Sequence, residues 1–281
     1  MSTVLVAGAT GRIGRPVAEL LLSRGHLVRA AVRDPQSAVA AKLARRGAEI
    51  VVADFEDVAG LAAAARGASV VVAAGTAHRA GPDGERRHGE NLADAVARAG
   101  VALLVYVSGA GAGRPTGVAV LESKRAVERR IAELDLPATI LAPAYFMENA
   151  FNPWNLAALA RGGFPLALPA DRLLQQVAVD DVAAMAVVAA ECPDELAGRR
   201  IEIASDELTG PEAAEQLTRA TGRRFVFERI PHEDLAPPLQ RLFAWLDAVG
   251  FDIDLRALRE RHPEVGWRSF ERWAAAQAWP G

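Results

Sequence analysis

The feature that most constrains the fold is a sixfold alternation of short apolar runs with helical segments in the first 145 residues. Runs of this length, rich in Val, Ile and Ala, are typical of strands in a parallel sheet that helices cover on both faces. The alternation predicts an α/β fold with a doubly wound parallel sheet and right-handed crossovers. The runs are Thr3–Ala9, Leu27–Val32, Ala48–Ala53, Ser69–Ala74, Ala102–Val107 and Ala138–Ala142.

Beyond Phe146 the alternation is lost, and aromatic residues and prolines become frequent. A helical pattern covers about Pro211 to Thr221 and resumes from His232. We therefore predict two parts, with residues 1–150 forming the large sheet and residues 151–281 a smaller α+β lobe packed on it. The runs with strand character in this lobe are Gln175–Val179, Arg200–Ala204 and Arg224–Ile230.

A glycine-rich loop follows the first apolar run directly and precedes the first helix, with the spacing Gly-x-x-Gly-x-x-Gly. In such a loop the first glycine permits a tight exit from the strand, the second lets the backbone approach a pyrophosphate, and the third allows close helix packing. The helix N-terminus adds free N–H groups and a positive dipole end. The loop predicts a Rossmann-type NAD(P) site with contacts from Gly8, Thr10, Gly11, Arg12, Ile13 and Gly14.

The residues after the second, third and fourth runs bear on the choice of cofactor. Sites for NAD usually carry an acidic residue about 20 residues after the loop, which binds the ribose 2′-hydroxyl. This chain has Arg33 there, and a guanidinium suits a 2′-phosphate, so NADP(H) is favoured over NAD(H). Asp34, one position later, is expected to cap the next helix. Asp54 and Phe55 are placed to flank the adenine, and the small residues Ala74 and Gly75 leave room for a ribose.

Several segments resemble the NmrA-like branch of the atypical short-chain dehydrogenase/reductase superfamily. Besides the glycine loop, they are a Ser-Lys-x-x-x-Glu sequence at Ser123–Glu128 and the sequence Pro-Ala-Tyr-Phe-Met-Glu-Asn at Pro143–Asn149. The resemblance implies that Ser108 and Lys124 occupy the positions of the serine and lysine that work on substrate and nicotinamide ribose. The usual catalytic tyrosine is replaced by Val120, which places ordinary alcohol dehydrogenation in doubt.

Lysine is rare in this chain, since Lys42 and Lys124 are the only lysines among 32 basic residues. Lys124 shares an apolar helical stripe with Val120, Val127, Ile131 and Leu134, so its amine is predicted to point towards the sheet. A desolvated amine needs a partner, and in the family that partner is the nicotinamide ribose. The alternative is an aliphatic stem that packs on the stripe while the ammonium reaches solvent.

A substrate site is expected where the chain leaves the sixth run, because open α/β sheets bind ligands at the carboxyl ends of their strands. The predicted lining is apolar and suits a flat aromatic or quinone-like acceptor. Tyr145 is a candidate for contact with the reacting group, although a role in shaping the pocket is favoured. The lining residues are Tyr145, Phe146, Met147, Asn149 and Trp154.

Composition excludes several other classes of protein. A net charge of −3 gives no reason to expect nucleic acid as a partner, and no apolar run is long enough for a membrane span. Cys192 is the only cysteine, so we predict no disulfide and no cysteine-based metal cluster. The histidines lack the spacing of metal ligands, so no metal site is predicted, and the location is expected to be cytoplasmic. The charged segment Glu85–His88 is expected to be a solvated helix start, and Asp180 or Asp181 a helix cap.

Three functions remain open from the sequence. The leading hypothesis, which leans towards an enzyme, is an NADP(H)-dependent oxidoreductase that transfers hydride to a small apolar or quinone-like acceptor, with Lys124, Ser108 and Tyr145 as candidate catalytic residues. The second is a non-catalytic NADP(H) sensor with a protein partner. The third is an epimerase or isomerase. The missing tyrosine favours the sensor, and the aromatic lining favours the enzyme. A homodimer is compatible with each of them.

Overall fold

A computed structural model provides the structure of the chain, and it describes residues 2–75 and 77–280. The side chains of residues 77–79 lie outside this description, and with them that of His78. Within the described residues, no helix has the length and apolar character that crossing a membrane requires.

A seven-stranded sheet forms the centre of the fold, in the order β10-β6-β5-β4-β1-β2-β3. Each neighbouring pair among β1 to β6 is parallel. The sheet confirms the predicted doubly wound α/β fold, and all six apolar runs form its strands. The strands are β1 (Thr3–Ala7), β2 (Leu27–Val32), β3 (Glu49–Val52), β4 (Val70–Ala74), β5 (Leu103–Val107), β6 (Ala138–Pro143) and β10 (Arg200–Ile203).

Two smaller sheets contain the remaining strands, in the orders β11-β9-β7 and β12-β8. The predicted run Gln175–Val179 corresponds to β9, which starts one residue earlier and ends two residues earlier, and Arg224–Ile230 corresponds to β12, which is shorter at both ends. The third run predicted for the lobe, Arg200–Ala204, instead forms β10 of the large sheet. The strands are β7 (Tyr145–Phe146), β8 (Gly163–Leu166), β9 (Leu174–Val177), β11 (Asp206–Leu208) and β12 (Val226–Arg229).

Helices follow most of the strands, and several begin or end at residues with a clear local reason. Ser37 accepts a hydrogen bond from the Ala40 N–H at the start of α2, and Asp57 caps α3 in the same manner. The helices are α1 (Gly14–Ser23), α2 (Ala38–Arg45), α3 (Val58–Ala65), α4 (Ala77–Ala99), α5 (Ala119–Glu133), α6 (Leu156–Ala160), α7 (Val179–Glu191), α8 (Pro193–Leu196), α9 (Gly210–Thr221), α10 (Pro237–Ala248), α11 (Leu255–Arg261) and α12 (Phe270–Ala275).

The chain divides into two compact units. The first unit comprises residues 1–115, 119–142 and 182–201, and the second comprises residues 116–118, 143–181 and 202–281. The units are therefore not consecutive segments, whereas the predicted parts, 1–150 and 151–281, are. The chain returns to the first unit through α7 and β10, and no change of composition marks this return in the sequence.

Each unit has its own apolar core. In the first unit, Leu5, Val71 and Leu104 lie side by side on one face of the sheet and pack with helix residues, among them Ile131. In the second unit, one core cluster gathers around Phe270 and Trp273 and another around Phe243 and Leu246.

The strand order places a topological switch point between β1 and β4. From β1 the chain continues to β2 and β3 on one side of the sheet, whereas β4, β5 and β6 lie on the other side. In open α/β sheets, ligands bind outside the carboxyl ends of the strands at such a point. A ligand site is therefore expected beside the residues that follow Ala7 and Ala74.

Candidate cofactor and reaction site

The glycine loop leaves β1 at the switch point in the conformation that its spacing predicts. Gly8 has a φ of +72°, which disfavours any residue with a side chain, and the Gly11 N–H donates to the Gly8 carbonyl at 2.8 Å. A Cβ atom at Gly14 would overlap the Gly8 carbonyl oxygen, so only glycine lets α1 begin this close to the strand. The loop and the first turn of α1 together form a cradle suited to a pyrophosphate.

The end of β2 places Arg33 on the surface. Arg33 is exposed and forms no ion pair within residues 2–75 and 77–280, so its guanidinium is available to an anionic group. The expectation that Asp34 caps the next helix is wrong. Asp34 accepts a hydrogen bond from the Gln36 N–H at 2.9 Å, and Ser37 is the residue that caps α2. The chain therefore makes a tight turn between β2 and α2.

Asp54 and Phe55 follow β3 as expected. The Phe55 ring stacks on His88 with ring centroids 5.7 Å apart, and its backbone carbonyl accepts a hydrogen bond from Asn91. Asp54 is exposed, and its carboxylate accepts from the Glu56 N–H at 3.0 Å. The aromatic ring is thus held in place from α4, while the carboxylate stays in a surface turn.

A buried ion pair lies at the end of β4. Lys124 Nζ on α5 donates a hydrogen bond to Glu85 Oε1 on α4 at 2.9 Å, and the two side chains are 14% and 1% exposed. A Cβ atom at Gly75 would overlap Glu85 Oε1 and lie 2.7 Å from Lys124 Nζ. The amine therefore points inwards, towards the strand end beside the switch point.

The prediction that Glu85 belongs to a solvated helix start is wrong. Glu85 lies on the buried face of α4 together with Gly89, Leu92 and Val96, at helical spacings of four, three and four residues. That spacing was present in the sequence, but the adjacent charged residues concealed it. At Gly89 a Cβ atom would overlap Val127, so a glycine there lets α4 and α5 approach closely.

A small pocket of about 200 Å³ adjoins the ion pair in the first unit. Tyr106 is 2% exposed, and its hydroxyl oxygen makes no well-formed hydrogen bond in the described part of the chain. Burial raises the pKa of Tyr106 well above its ordinary value, and the charges of Glu85 and Glu128 raise it further. Tyr106 is therefore neutral at ordinary pH. The pocket is lined by Phe55, Ala74, Gly75, Glu85, His88, Gly89, Leu92 and Tyr106.

Ser108 follows β5 and is also buried. Its hydroxyl donates to Glu128 Oε1, and Arg200 Nε donates to the other carboxylate oxygen of Glu128 at 2.9 Å. Arg200 also donates to the Gly109 carbonyl at 3.1 Å. Because the single hydroxyl proton is directed at a carboxylate, Ser108 offers a ligand its lone pairs, as a hydrogen-bond acceptor.

Glu128 ends the Ser-Lys-x-x-x-Glu sequence at Ser123–Glu128, and the sequence assigned it no role at the site. It lies one helical turn after Lys124, so both side chains project from neighbouring positions on the helix. Val127 and Ile131 are buried in the core of the first unit, whereas Val120 is half-buried.

The residues predicted to line the substrate site belong to the second unit and differ in exposure. Met147 is buried within the core around Phe270, and Trp154 is 56% exposed. Tyr145 and Phe146 form the short strand β7, which pairs with β9. The Tyr145 ring packs edge-on against Phe243 with centroids 6.0 Å apart, and its hydroxyl hydrogen-bonds to the Asn149 side chain.

Burial raises the pKa of Tyr145 from 10.0 to about 12. The folded protein thus retains this proton more tightly than the unfolded chain, so the resulting stability is present below pH 10 and lost as the pH rises towards 12. We expect the unfolding temperature to fall between pH 10 and 12, and to fall less steeply in Tyr145→Phe. Calorimetry of both proteins across this range tests the assignment, and parallel pH profiles would contradict it.

The expectation that Asp180 or Asp181 caps a helix is also wrong. Helix α7 begins at Val179, whose N–H donates to the carboxylate of Glu148 at 3.0 Å. Asp181 is buried and accepts hydrogen bonds from Ser205 at 2.6 Å and from the Arg268 backbone at 2.9 Å. Burial raises the pKa of both Glu148 and Asp181. These acids tie distant segments of the second unit together.

Among the described residues there is no group of three or more His, Cys, Asp or Glu side chains arranged to bind a metal ion. The groups placed for binding and chemistry are the glycine loop, Arg33 and the Lys124–Glu85 and Ser108–Glu128 pairs. All of these lie in the first unit.

Comparison with known proteins gives a consistent result. The model of the NmrA-like family matches residues 1–250. The (4-alkanoyl-5-oxo-2,5-dihydrofuran-3-yl)methyl phosphate reductase of Streptomyces griseus is 32% identical over 81% of this chain and 77% of its own. Quinone oxidoreductase 2 of Escherichia coli is 28% identical over 84% of this chain and 81% of its own.

Solved structures share the fold. The NADPH-dependent quinone oxidoreductase of Escherichia coli in complex with NADPH has a TM-score of 0.80 at 22% identity, covering 97% of this chain and 98% of that one. The negative transcriptional regulator NmrA in complex with NADP has a TM-score of 0.77 at 22% identity, covering 98% of this chain and 94% of that one. One fold therefore serves both a reductase and a regulator.

Proposed function

Because the chain belongs to the NmrA-like family, we propose that it is an NADP(H)-dependent oxidoreductase that reduces a small, largely apolar or quinone-like acceptor. The observation that carries the proposal is the buried Lys124 amine at the end of β4, beside the switch point that the glycine loop also borders. Two similar proteins, a reductase of an alkanoyl-furanone methyl phosphate and a quinone oxidoreductase, support the reaction class.

The residues of the first unit fit a dinucleotide. Gly14 packs so closely on Gly8 that a side chain would overlap it, which leaves the backbone open to a pyrophosphate. Arg33 at the end of β2 would bind the 2′-phosphate, which is the reason for preferring NADP(H) to NAD(H). Phe55 would lie against the adenine. Thr10, Arg12 and Ile13 would border the phosphates, and Ala74 and Gly75 the ribose of the nicotinamide.

When bound, the reduced cofactor supplies a hydride to the acceptor. The contribution of this chain is to bind and orient both partners. Lys124 would donate hydrogen bonds to ribose hydroxyls, and Glu85 keeps its amine directed at that place. Ser108, whose own proton is held by Glu128, would accept a hydrogen bond from the nicotinamide amide or from a hydroxyl of the substrate.

The absence of a tyrosine at Val120 restricts the range of substrates. A ketone needs a proton donor close to its oxygen, whereas hydride addition to a quinone or an enone gives a stabilised anion that can collect a proton from water. We therefore assign a conjugated acceptor to the proposed reaction. An epimerase is disfavoured, because a transient ketone would need the missing tyrosine.

A non-catalytic NADP(H) sensor with a protein partner is the second candidate. Val120 is the observation that favours it, since the residue that most often performs proton transfer in the superfamily is absent. The NmrA regulator shows that the fold is compatible with such a role.

Oxidation of NADPH in the presence of quinones and enones tests the proposal. We expect the disappearance of NADPH to match the formation of reduced acceptor one for one, with no turnover of simple ketones. Tight binding of NADP(H) without turnover of any conjugated acceptor would favour the sensor instead. Lys42→Met serves as a control that should turn over the acceptors as the wild type does, because Lys42 is an exposed lysine on α2 that pairs with Glu19.

A further inference from the structure

Glu85 is a buried acid whose one role in the proposed reaction is to direct the Lys124 amine. At 1% exposure, an ionised carboxylate costs much free energy unless a positive partner and hydrogen bonds compensate it. Lys124 provides that partner at 2.9 Å. The pair therefore carries no net charge.

The local structure of α4 and β4 is arranged to admit the pair. Helix α4 contains a break at Gly81, where φ is +68° and ψ is 179°, and Pro82 follows in the next position. Glu85 therefore lies near the start of the straight part of the helix. Gly89 lets this part approach Val127 on α5, and Gly75 leaves space for both charged ends.

The position of the pair bears on the charge of the nicotinamide. The oxidised ring carries one positive charge and the reduced ring carries none. A lysine alone at the ribose would repel the oxidised form, whereas a carboxylate beside it offsets this repulsion. The effect is electrostatic, so it acts on the ratio of the two affinities and not on the overall fit of the dinucleotide.

We propose that Glu85 is a specificity-determining residue that sets the relative affinity of the protein for the oxidised and reduced cofactor. It does so by neutralising Lys124 at the end of β4. This inference rests on the proposed function in two respects, namely that the protein binds NADP(H) and that the nicotinamide ribose lies beside Lys124, and it requires no acceptor and no turnover.

The test is the ratio of Kd for NADP⁺ to Kd for NADPH, measured by calorimetric titration. In Glu85→Gln the ratio should rise by roughly tenfold, since one negative charge is lost near the ring. In the double variant Glu85→Gln/Lys124→Met the net charge is again zero, so the ratio should return close to that of the wild type. A loss of structure alone would weaken the binding of NADP⁺ and of NADPH alike and leave the ratio of their Kd values unchanged.

Asp83→Asn is the matched control, because Asp83 is an exposed acid on the same helix, and its ratio should stay that of the wild type. If Glu85→Gln does not fold, the double variant is compared with Lys124→Met, and a higher ratio in the double variant is expected. The role of Glu85 would be overturned if Glu85→Gln had the same ratio as the wild type, or if the double variant had the same ratio as Lys124→Met. Failure of the wild type to bind either nucleotide would instead overturn the proposed function.

Discussion

Replacing Lys124 with Met should lower kcat/KM for NADPH-dependent reduction of the acceptor by roughly 10²- to 10³-fold. The amine is held at the end of β4, where it would orient the ribose and with it the nicotinamide ring. Methionine preserves the aliphatic stem and its packing but removes the hydrogen-bond donors. Steady-state kinetics with a quinone acceptor measures the effect.

A loss of stability must be separated from a loss of function in this variant. Removing Lys124 leaves the buried Glu85 carboxylate without its partner, which typically costs about 3–5 kcal/mol. The double variant Glu85→Gln/Lys124→Met removes both charges, so it should regain stability without regaining activity. If Lys124→Met keeps at least half of the wild-type kcat/KM, the assignment of Lys124 to the cofactor site is wrong.

Replacing Arg33 with Ala should weaken NADPH binding by roughly 10- to 100-fold and leave NADH binding unchanged. The guanidinium is exposed at the end of β2, where only a 2′-phosphate would engage it, and charge-assisted hydrogen bonds to such an anion are among the stronger polar contacts. Titration of both nucleotides measures the change. A competing fragment, 2′,5′-ADP, should lose affinity in parallel, whereas 5′-AMP should not.

Arg45→Ala provides the control for a general change in charge, because Arg45 is an exposed arginine on α2. It should leave both affinities close to those of the wild type. Equal losses for NADH and NADPH in Arg33→Ala would contradict the assignment of Arg33 to the 2′-phosphate, as would no loss at all.

The large sheet could be predicted because its strands are buried on both faces. Such strands are apolar along their whole length, so six of them are visible without knowledge of any partner. Glycines that follow four of the helical segments are equally visible in the sequence, and Gly25, Gly47, Gly67 and Gly100 all have positive φ. The glycine loop could also be predicted from the sequence, because close backbone contacts require glycine at those positions.

The ion pairs could not be predicted in the same way, because each joins residues that are far apart in sequence. Glu85 and Lys124 are 39 residues apart, and Glu128 meets Arg200 across 72 residues. Glu85 lies in a stretch of charged residues, and only its helical register with Gly89 and Leu92 sets it apart. A buried acid in a polar segment is therefore best found by testing whether it continues an apolar stripe.

The start of α7 was missed for a related reason. An aspartate pair before an apolar helix is a common capping signal, yet the acceptor for the Val179 N–H comes from Glu148, which lies 31 residues earlier in the chain. Asp181 instead pairs with Arg268, which lies 87 residues later. At the start of α7, tertiary contacts take the place of a local cap, and such contacts leave no signal in a single sequence.

The scarcity of lysine allows a direct test of the central claim, that Lys124 lies at the site of the nicotinamide ribose. In protein labelled with ¹³C-lysine, NMR should show two side-chain signals, one from each lysine, which Lys42→Arg assigns. Addition of NADPH should shift the Lys124 signal and leave that of Lys42 in place. Saturation with NADPH that leaves the Lys124 signal unmoved would contradict the account.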